Sequence, residues 1–480
     1  MKSQARQTLH ALAWAGQHDR AMALATTALA APQLQSAERF ALLDARAESL
    51  IAAGRFGDAQ GDVAAMLTLA GERAPVARRV QALQRQSLVL MRLGQGAAAL
   101  AAAQEAATLV HQAATKKRND PTVQALLAPS LLCLAEAQLR AAQHAQAIPS
   151  AEQAAALFEA AGDVVGQARS HWILAFAQTR LSRNEASRSA ALRAVALARQ
   201  AGDDYGLANA LNVLSFSSTD IAERLALLQQ AAAAFERCGH AFGRAQVVGN
   251  LSLAMAELGL YRSACRLGEE CIALCDAMAA RQNQTAELGI VMLWKITLGE
   301  LAAVRQRWAA YDALVSTLDE DNTRTNRELI AATLAQAEGD FASAAQGLRS
   351  LLRRVRTHNP GFELYVLIPL AKVQLQQGDA GAALRSTRRG IALHRQHGFA
   401  RAGLGQSQDI WWWHHRALLA NGQKEASWAA LQEAHALLLQ AVAHVRDEGL
   451  RRSYLNKVEV NREKYPVATA RGNAKKYTEI

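Results

Sequence analysis

The chain has 480 residues, of which 51% are hydrophobic, 20% charged and only 5% aromatic, and its formal net charge is +11. With 8 prolines and 30 glycines, this composition excludes collagen-like, proline-rich and broadly disordered chains. Ala, Leu, Gln and Arg dominate over aromatic and β-branched residues, which disfavours a β-sandwich or barrel, so we predict an all-α protein.

The first residues predict a helix rather than a secretory signal. Apolar residues recur there at helical spacing, and His18, Asp19 and Arg20 interrupt them before a signal-type apolar core develops. No run of about 18 consecutive apolar residues occurs, so no membrane span is expected. Five cysteines at uneven spacing do not suggest a disulfide framework. We therefore expect a cytoplasmic protein.

One phrase then recurs along the chain: an apolar helix, a glycine, four residues, and a small residue that opens a second helix. Most successive turn positions lie about 40 residues apart, which predicts about eleven helix hairpins. The longest step contains the polar segment 115–121, which we interpret as a loop insertion. The predicted turn positions are Gly16, Gly54, Gly94, Ala142, Ser182, Thr219, Gly259, Gly299, Gly339, Gly378 and Gly422.

Each unit has a consistent physical interpretation. Glycine suits a helix end because the residue there often adopts a positive φ. An aromatic residue two positions later is expected to wedge between the helices of its own hairpin, as at Phe56, Tyr261 and Phe341. A small residue twelve positions after the turn would let the next hairpin approach closely; these residues are Ala28, Ala106, Ala154, Ala194, Ala231, Cys271, Gly390 and Ala434.

The turn sequences GQHDRA, GRFGDA, GLYRSA and GDFASA resemble those of tetratricopeptide repeats, over roughly residues 5 to 445. Tetratricopeptide units are about 34 residues long, so the longer period is more similar to the helical sensor and interaction arrays of large bacterial transcription activators of the maltose-activator type. The segment GLRRSYLNKVEVNRE, residues 449–463, resembles segments that follow such arrays in bacterial signalling ATPases and cyclases.

This resemblance implies a right-handed superhelical solenoid of antiparallel helix hairpins with a long concave face. We accordingly predict a repeat array over residues 1–445 and a C-terminal capping segment over residues 446–463. Residues 464–480 lose helical periodicity and contain a proline, so we predict a disordered tail there.

The motifs of common enzymes are missing from the sequence. It contains no Gly-Lys-Ser/Thr phosphate loop, no GxGxxG, no HExxH and no GxSxG motif. Cys265, Cys271 and Cys275 could share a helix, but buried cysteines usually act as small hydrophobic residues rather than zinc ligands. We predict a non-enzymatic protein with no cofactor and no metal.

Three consecutive tryptophans, Trp411, Trp412 and Trp413, form the first candidate binding feature. They cannot all face one side of a helix, so at least one should lie at a rim or in the groove. Packing of the last hairpin is the favoured interpretation. The alternative is an aromatic wall that receives a ligand or an apolar side chain of a partner.

The second candidate feature is basic. Between Arg349 and Arg401 the chain has ten basic and two acidic residues. Neighbouring second helices would bring them into one patch, which is either a solvated exterior or a docking surface for an acidic macromolecule. The candidate residues are Arg349, Arg353, Arg354, Arg356, Arg385, Arg388 and Arg389.

Together these features predict a protein–protein interaction or regulatory scaffold of a bacterial signal-transduction or transcription system. Its partner would be a protein or peptide in the concave groove, with a possible acidic macromolecule on the patch between residues 349 and 401 and no membrane. A small-molecule-sensing domain of a transcription activator and a nucleic-acid-binding repeat protein are the alternatives. The oligomeric state is left open.

Overall fold

The computed structural model describes residues 2–117, 120–318, 321–358, 362–396, 407–458 and 461–462. Within these ranges the regular elements are helices and no strand occurs. The first twelve helices are α1 (Lys2–Trp14), α2 (His18–Leu29), α3 (Ser36–Ala52), α4 (Phe56–Leu69), α5 (Val76–Arg92), α6 (Gly96–Lys116), α7 (Pro121–Gln124), α8 (Leu127–Arg140), α9 (His144–Ala160), α10 (Val164–Arg180), α11 (Asn184–Ala201) and α12 (Asp204–Ser217).

The second half of the chain continues the same pattern. Its helices are α13 (Ile221–Arg237), α14 (Ala241–Glu257), α15 (Tyr261–Ala277), α16 (Arg281–Thr297), α17 (Leu301–Ser316), α18 (Asp321–Ala337), α19 (Phe341–His358), α20 (Glu363–Gln376), α21 (Ala380–Gln396), α22 (Ser407–Ala420), α23 (Lys424–Ala443) and α24 (Glu448–Lys457).

The helices follow one another as hairpins. Helix α1 is followed by its partner α2 and α3 by α4; after the short helix α7 the pairing resumes with α8 and α9 and continues to α22 and α23. This arrangement gives eleven hairpins in the described residues. The predicted all-α array of helix hairpins is confirmed.

The backbone confirms most of the predicted turn positions. Ten of the eleven have a positive φ: Gly16, Gly54, Gly94, Ala142, Ser182, Gly259, Gly299, Gly339, Gly378 and Gly422. Ala142 and Ser182 have φ values of 60° and 59° although they carry a side chain, so the repeat imposes this conformation even without glycine. At Thr219 the expectation fails, because α12 ends in an extended residue, Ser218, with φ −77° and ψ 126°.

The aromatic residues that follow the turns differ in what they contact. Tyr261 and Phe341 pack against hydrophobic clusters that include residues of their own hairpins. Phe56 is buried, and its ring meets the ring of Phe242 in α14 edge-on, with 5.8 Å between the centroids. Phe56 therefore links two hairpins that are far apart in sequence. The sequence analysis predicted only a contact within its own hairpin.

The described chain divides into two compact units. The N-terminal unit lies within residues 1–219, 223–250 and 273–280. The C-terminal unit lies within residues 220–222, 251–272 and 281–480. The predicted boundaries at residues 445 and 463 remain predictions, and the predicted tail of residues 464–480 lies outside the described residues, as do Arg401 and Glu463.

Within the N-terminal unit the array turns back on its own beginning. A ring nitrogen of His18, at the start of α2, lies 2.8 Å from the carbonyl oxygen of Cys238, which follows α13. The next hairpin contributes the contact between Phe56 and Phe242. Small rotations between successive hairpins accumulate, so hairpins distant in sequence meet after one superhelical turn.

Residues Pro121–Arg140, which cover α7 and α8, are long and apolar enough by composition to cross a membrane, and no second helix among the described residues meets this criterion. Helix α8 packs against α5, α6, α9 and α10 in the N-terminal unit. A helix in the core of a helical repeat can have the same length and apolar composition as a membrane-spanning helix.

The core of the C-terminal unit is made of successive hydrophobic clusters between neighbouring hairpins. One joins α16, α17 and α18, the next joins α18, α19 and α20, and a third joins α20 to α23. Near the end of the described chain, the side-chain amide of Gln408 donates to the hydroxyl of Tyr454 in α24 at 2.9 Å. Helix α24 is thereby attached to the last hairpin.

Glu287 of α16 is buried in this unit, and one of its carboxylate oxygens has no hydrogen-bond partner among the described residues. Burial raises the pKa of this carboxyl from its ordinary value of 4.5 to about 7. A hydrogen bond with the Ser252 hydroxyl lowers the pKa, but by less than burial raises it. The folded state therefore binds the proton more tightly than the unfolded state, and stability should fall as the pH rises from about 4.5 to about 7.

We expect Glu287→Gln to remove this dependence. Relative to the wild type, the variant should gain on the order of 2–3 kcal/mol of unfolding free energy between pH 4.5 and pH 8. Urea denaturation at the two pH values measures the difference, with the exposed Glu433→Gln as the matched control. An equal pH dependence in all three proteins would contradict the buried protonated carboxyl.

Candidate functional site

Side chains from the first helices of five hairpins converge inside the N-terminal unit. We call this group the interior cluster. Arg92 comes from α5, Glu136 and Arg140 from α8, Arg169 from α10 and Tyr205 from α12. The ring of His240, just before α14, and that of Phe242, within it, complete the cluster.

Arg92 lies at the centre of the interior cluster, with only 3% of its side chain exposed. Its Nη2 donates to Glu136 Oε1 at 3.1 Å and to the Tyr205 hydroxyl at 3.4 Å. The guanidinium carbon lies 5.5 Å from the centroid of the Phe242 ring. Its Nε and Nη1 have no hydrogen-bond partner among the described residues. Two donor nitrogens of a permanent cation are therefore buried without an acceptor among the described residues.

Arg169 is held differently. Its Nε and Nη2 donate to the two carboxylate oxygens of Asp203 at 3.0 and 3.2 Å, and its guanidinium lies 5.2 Å from the Tyr205 ring centroid. Burial raises the pKa of Tyr205 and lowers the pKa of His240 to about 3, so both rings are neutral near pH 7. The charged groups of the interior cluster are thus its arginines and Glu136.

Aromatic and amide side chains extend this surface along α10, α12 and α14. The rings of Phe176 and Phe216 are 6.2 Å apart, and Phe216 is 42% exposed. Asn209 and Asn212 are half-buried, and the amide of Asn250 donates to Asn212 Oδ1 at 2.8 Å. Guanidinium, amide and aromatic groups can bind a carboxylate, a peptide backbone and an apolar side chain respectively.

Sequence reasoning did not find the interior cluster. Its members are scattered from Arg92 to Phe242, and each has a different neighbourhood in sequence. One signal was available, because Arg92 and Arg140 both stand two residues before a predicted turn position. Only the return of the array brings Arg92 to Tyr205, 113 residues further along the chain.

The three predicted tryptophans occupy different environments. Trp411 and Trp412 are 6% and 2% exposed, whereas Trp413 is half-buried. Trp411 belongs to the hydrophobic cluster between α21, α22 and α23, and Arg395 lies 5.3 Å from its ring centroid. Trp413 is therefore the most accessible of the three, and Lys372 Nζ lies 5.6 Å from its ring centroid.

Part of the predicted basic patch is occupied by ion pairs within the chain. Arg354 binds Glu328 at 2.8 Å. Arg356 of α19 and Arg389 of α21 both bind Glu363 of α20, at 2.7 and 2.9 Å. Hydrogen bonds from Arg389 and Arg356 hold the pKa of the buried Glu363 below its usual range.

The remaining predicted arginines are exposed: Arg349, Arg353, Arg385 and Arg388. None of these four has an ion-pair partner within the described chain. The C-terminal unit therefore presents unpaired positive charge on α19 and α21.

His414 lies close to this charge. Burial, followed by the charges of Arg388 and Arg395, lowers the pKa of His414 to about 4, and His414 Nδ1 lies 2.9 Å from the Thr387 hydroxyl.

The three cysteines considered as metal ligands, Cys265, Cys271 and Cys275, are all buried on α15. Burial raises the pKa of Cys265. In the part of the chain that the structure describes, no three His, Cys, Asp or Glu side chains are grouped in a way that could hold a metal ion. That the protein binds no metal stays a prediction.

No known protein-family model matches the sequence, and a comparison with curated proteins gives no match. Solved structures do match. A Rap protein complexed with Competence and Sporulation Factor is 16% identical and superposes with a TM-score of 0.51, covering 74% of this chain and 98% of its own. The apo form of the quorum sensor NprR from B. thuringiensis is 10% identical with a TM-score of 0.52, covering 76% and 100%.

Aspartyl phosphate phosphatase F from Bacillus subtilis is 11% identical with a TM-score of 0.50, covering 76% of this chain and 96% of its own. At such identities the likeness concerns the fold. The chain has a tetratricopeptide-like helical-repeat fold, as its turn sequences predicted.

Proposed function

We propose that this chain is a non-enzymatic regulatory module of a bacterial signalling or transcription system, acts in the cytoplasm, and binds a peptide segment on the inner face of its N-terminal unit. One observation carries the proposal: five first helices direct guanidinium, aromatic and amide groups into one interior, with buried donors left unused.

The fold suits this role physically. Packed hairpins hold the binding groups in place before the partner arrives, so binding costs less conformational entropy than it would on a flexible surface. The solved neighbours support a regulatory role, since one is a quorum sensor and another was solved in complex with a named factor.

Affinity selection from a synthetic random hexapeptide library, read by mass spectrometry, tests the proposal. We expect the purified protein to retain a subset of peptides and to melt at a higher temperature in their presence. Phe216→Ala should reduce retention, because Phe216 offers apolar surface beside the interior. Leu192→Ala, an equally exposed apolar residue on the second helix α11, serves as the control. The proposal is wrong if no peptide is retained above background, or if both variants retain what the wild type does.

The unpaired arginines of the C-terminal unit support a second candidate function, the docking of an acidic macromolecule. Four exposed guanidinium groups on α19 and α21 have no ion-pair partner within the described chain, because Glu328 and Glu363 bind other arginines and Asp379 accepts from the backbone N–H of Ala382. Arginine suits such docking, since its planar fork binds carboxylate or phosphate in a bidentate manner.

Reversing the four arginine charges should abolish the binding of an acidic macromolecule without loss of helix content. The variant carries Arg→Glu at Arg349, Arg353, Arg385 and Arg388. For a DNA duplex, neutralising about four phosphates gives a log–log salt slope of roughly −4, and an acidic polypeptide should show a weaker dependence. Fluorescence anisotropy with each probe measures this. The control reverses four exposed arginines elsewhere, Arg73, Arg199, Arg262 and Arg266. Equal binding by both variants would make the patch a solvated exterior.

A further inference from the structure

The unused donors of the interior cluster have a specific chemistry. Arg92 has two buried donor nitrogens with no partner among the described residues, Nε and Nη1. Arg140 has a buried Nε in the same condition, and no described carboxylate forms an ion pair with it. Leaving buried donors of a charged group unsatisfied is costly, more so than for a neutral group.

The carboxylates of the neighbourhood are already bound to other groups. Arg85 binds Asp44 at 2.8 Å and Glu48 at 3.5 Å, and Arg169 binds both oxygens of Asp203. Glu136 receives its hydrogen bond from Arg92. Arg140 is half-buried beside Arg92 and Glu136 and forms no ion pair of its own, because the carboxylate next to it, Glu136, is bound to Arg92.

We propose that Arg92 and Arg140 form an anion site that binds a carboxylate of the peptide taken up by the N-terminal unit. The site deepens the proposed function and rests on it. A carboxylate is acceptor-only and accepts several charge-assisted hydrogen bonds, which matches the unused donors of the two guanidinium groups.

The charge of the ligand follows from Glu136. Within the interior cluster, the three guanidinium groups of Arg92, Arg140 and Arg169 face the two carboxylates of Glu136 and Asp203, and the second carboxylate beside Arg85, Glu48, is 45% exposed and screened by solvent. A single negative charge neutralises the remaining guanidinium, whereas a dianionic phosphate would place a surplus negative charge beside Glu136 in a poorly solvated interior. Tyr205 and Phe242 lie against the Arg92 guanidinium and lower the local dielectric constant, which strengthens the attraction between guanidinium and carboxylate. A peptide can supply this carboxylate from its C-terminus or from an Asp or Glu side chain, and the two sources have the same chemistry.

Three hexapeptide libraries distinguish these sources. The first has free C-termini and no Asp or Glu, the second has amidated C-termini and includes Asp and Glu, and the third is amidated without Asp or Glu. The wild type should retain the first or the second library at least about tenfold better than the third, as expected for charge-assisted hydrogen bonds. Whichever library is retained identifies the source of the carboxylate.

Arg140→Gln is the decisive variant, because Arg140 has no hydrogen bond or ion pair in the described structure to lose. It should lower retention of the carboxylate-bearing library to the level of the third library, with a melting temperature no lower than that of the wild type, because the variant removes a buried donor that has no partner. Arg199→Gln, an exposed arginine on α11, should behave as the wild type. Arg92→Gln should give the same loss as Arg140→Gln, with some loss of stability because it also removes the hydrogen bond to Glu136.

The outcomes separate the two proposals. Equal retention of all three libraries by the wild type, or no change in Arg140→Gln, would overturn the carboxylate site and leave peptide binding intact. Retention of no library by the wild type would overturn both. Loss of the carboxylate preference in both Arg140→Gln and Arg92→Gln, with Arg199→Gln unaffected, would support the site.

Discussion

Trp412→Ala should lower the free energy of unfolding of the C-terminal unit by about 3–5 kcal/mol, because a large aromatic side chain leaves a cavity that its neighbours cannot fill. Trp412 is 2% exposed, its ring lies 5.3 Å from that of His415, and Arg416 lies 5.7 Å from its centroid. Urea denaturation followed by circular dichroism measures the change.

The adjacent Trp413 provides the matched control. It is half-buried, and Lys372 Nζ lies 5.6 Å from its ring centroid. Trp413→Ala should therefore cost only about 1 kcal/mol, the magnitude of an exposed cation–π contact with some loss of burial. Equal losses of unfolding free energy in the two variants would contradict the burial pattern of α22, in which Trp412 is buried and Trp413 is half-buried.

Gly16→Ala should destabilise the N-terminal unit by about 2–4 kcal/mol, combining backbone strain with overpacking. The φ of Gly16 is 71°, a conformation that alanine adopts only at a cost. An added methyl group would also overlap the backbone carbonyl oxygen of Arg237, which cannot rotate aside as a side chain can. The substitution must therefore strain or open the contact between the first hairpin and the turn after α13.

Gly339→Ala separates the two effects. Gly339 has an even larger φ of 86°, but a methyl group there would meet no atom within 4 Å. This variant should lose about 1 kcal/mol, from backbone strain alone. Thermal and urea unfolding of both variants provide the comparison. If Gly16→Ala is no worse than Gly339→Ala, the N-terminal array does not return on its first hairpin in solution.

The contact tested by Gly16→Ala bears on function, because the same superhelical turn that brings the first hairpin against the turn after α13 also assembles the interior cluster. Arg92 of α5 reaches Tyr205 and Phe242 only when the third hairpin faces the sixth and seventh. We expect Gly16→Ala to weaken peptide retention together with stability. Arg140→Gln, by contrast, should weaken retention alone. The pair of variants therefore distinguishes assembly of the site from its chemistry.

The sequence by itself determined the class of fold and the location of nearly all hairpin turns. A positive φ, a buried small residue and an apolar helix face are demands that each hairpin makes on its own few residues, so they recur in the sequence with the period of the repeat. Gly259 and Gly339 were identifiable for this reason, and Ala142 and Ser182 were identifiable from their spacing alone. Thr219 shows the limit, because turns without glycine adopt the positive φ at Ala142 and Ser182, whereas α12 ends in an extended residue.

The tertiary structure alone decided which side chains meet. The small rotation from one hairpin to the next leaves no signature in composition or spacing, yet its accumulated value places Phe56 on Phe242 and Arg92 on Tyr205. In the same way, the sequence predicted one basic patch, whereas packing buries Glu363 between Arg356 and Arg389 and thereby divides the patch into paired and unpaired arginines. Local periodicity specifies the repeats, and the angles between repeats specify the candidate site.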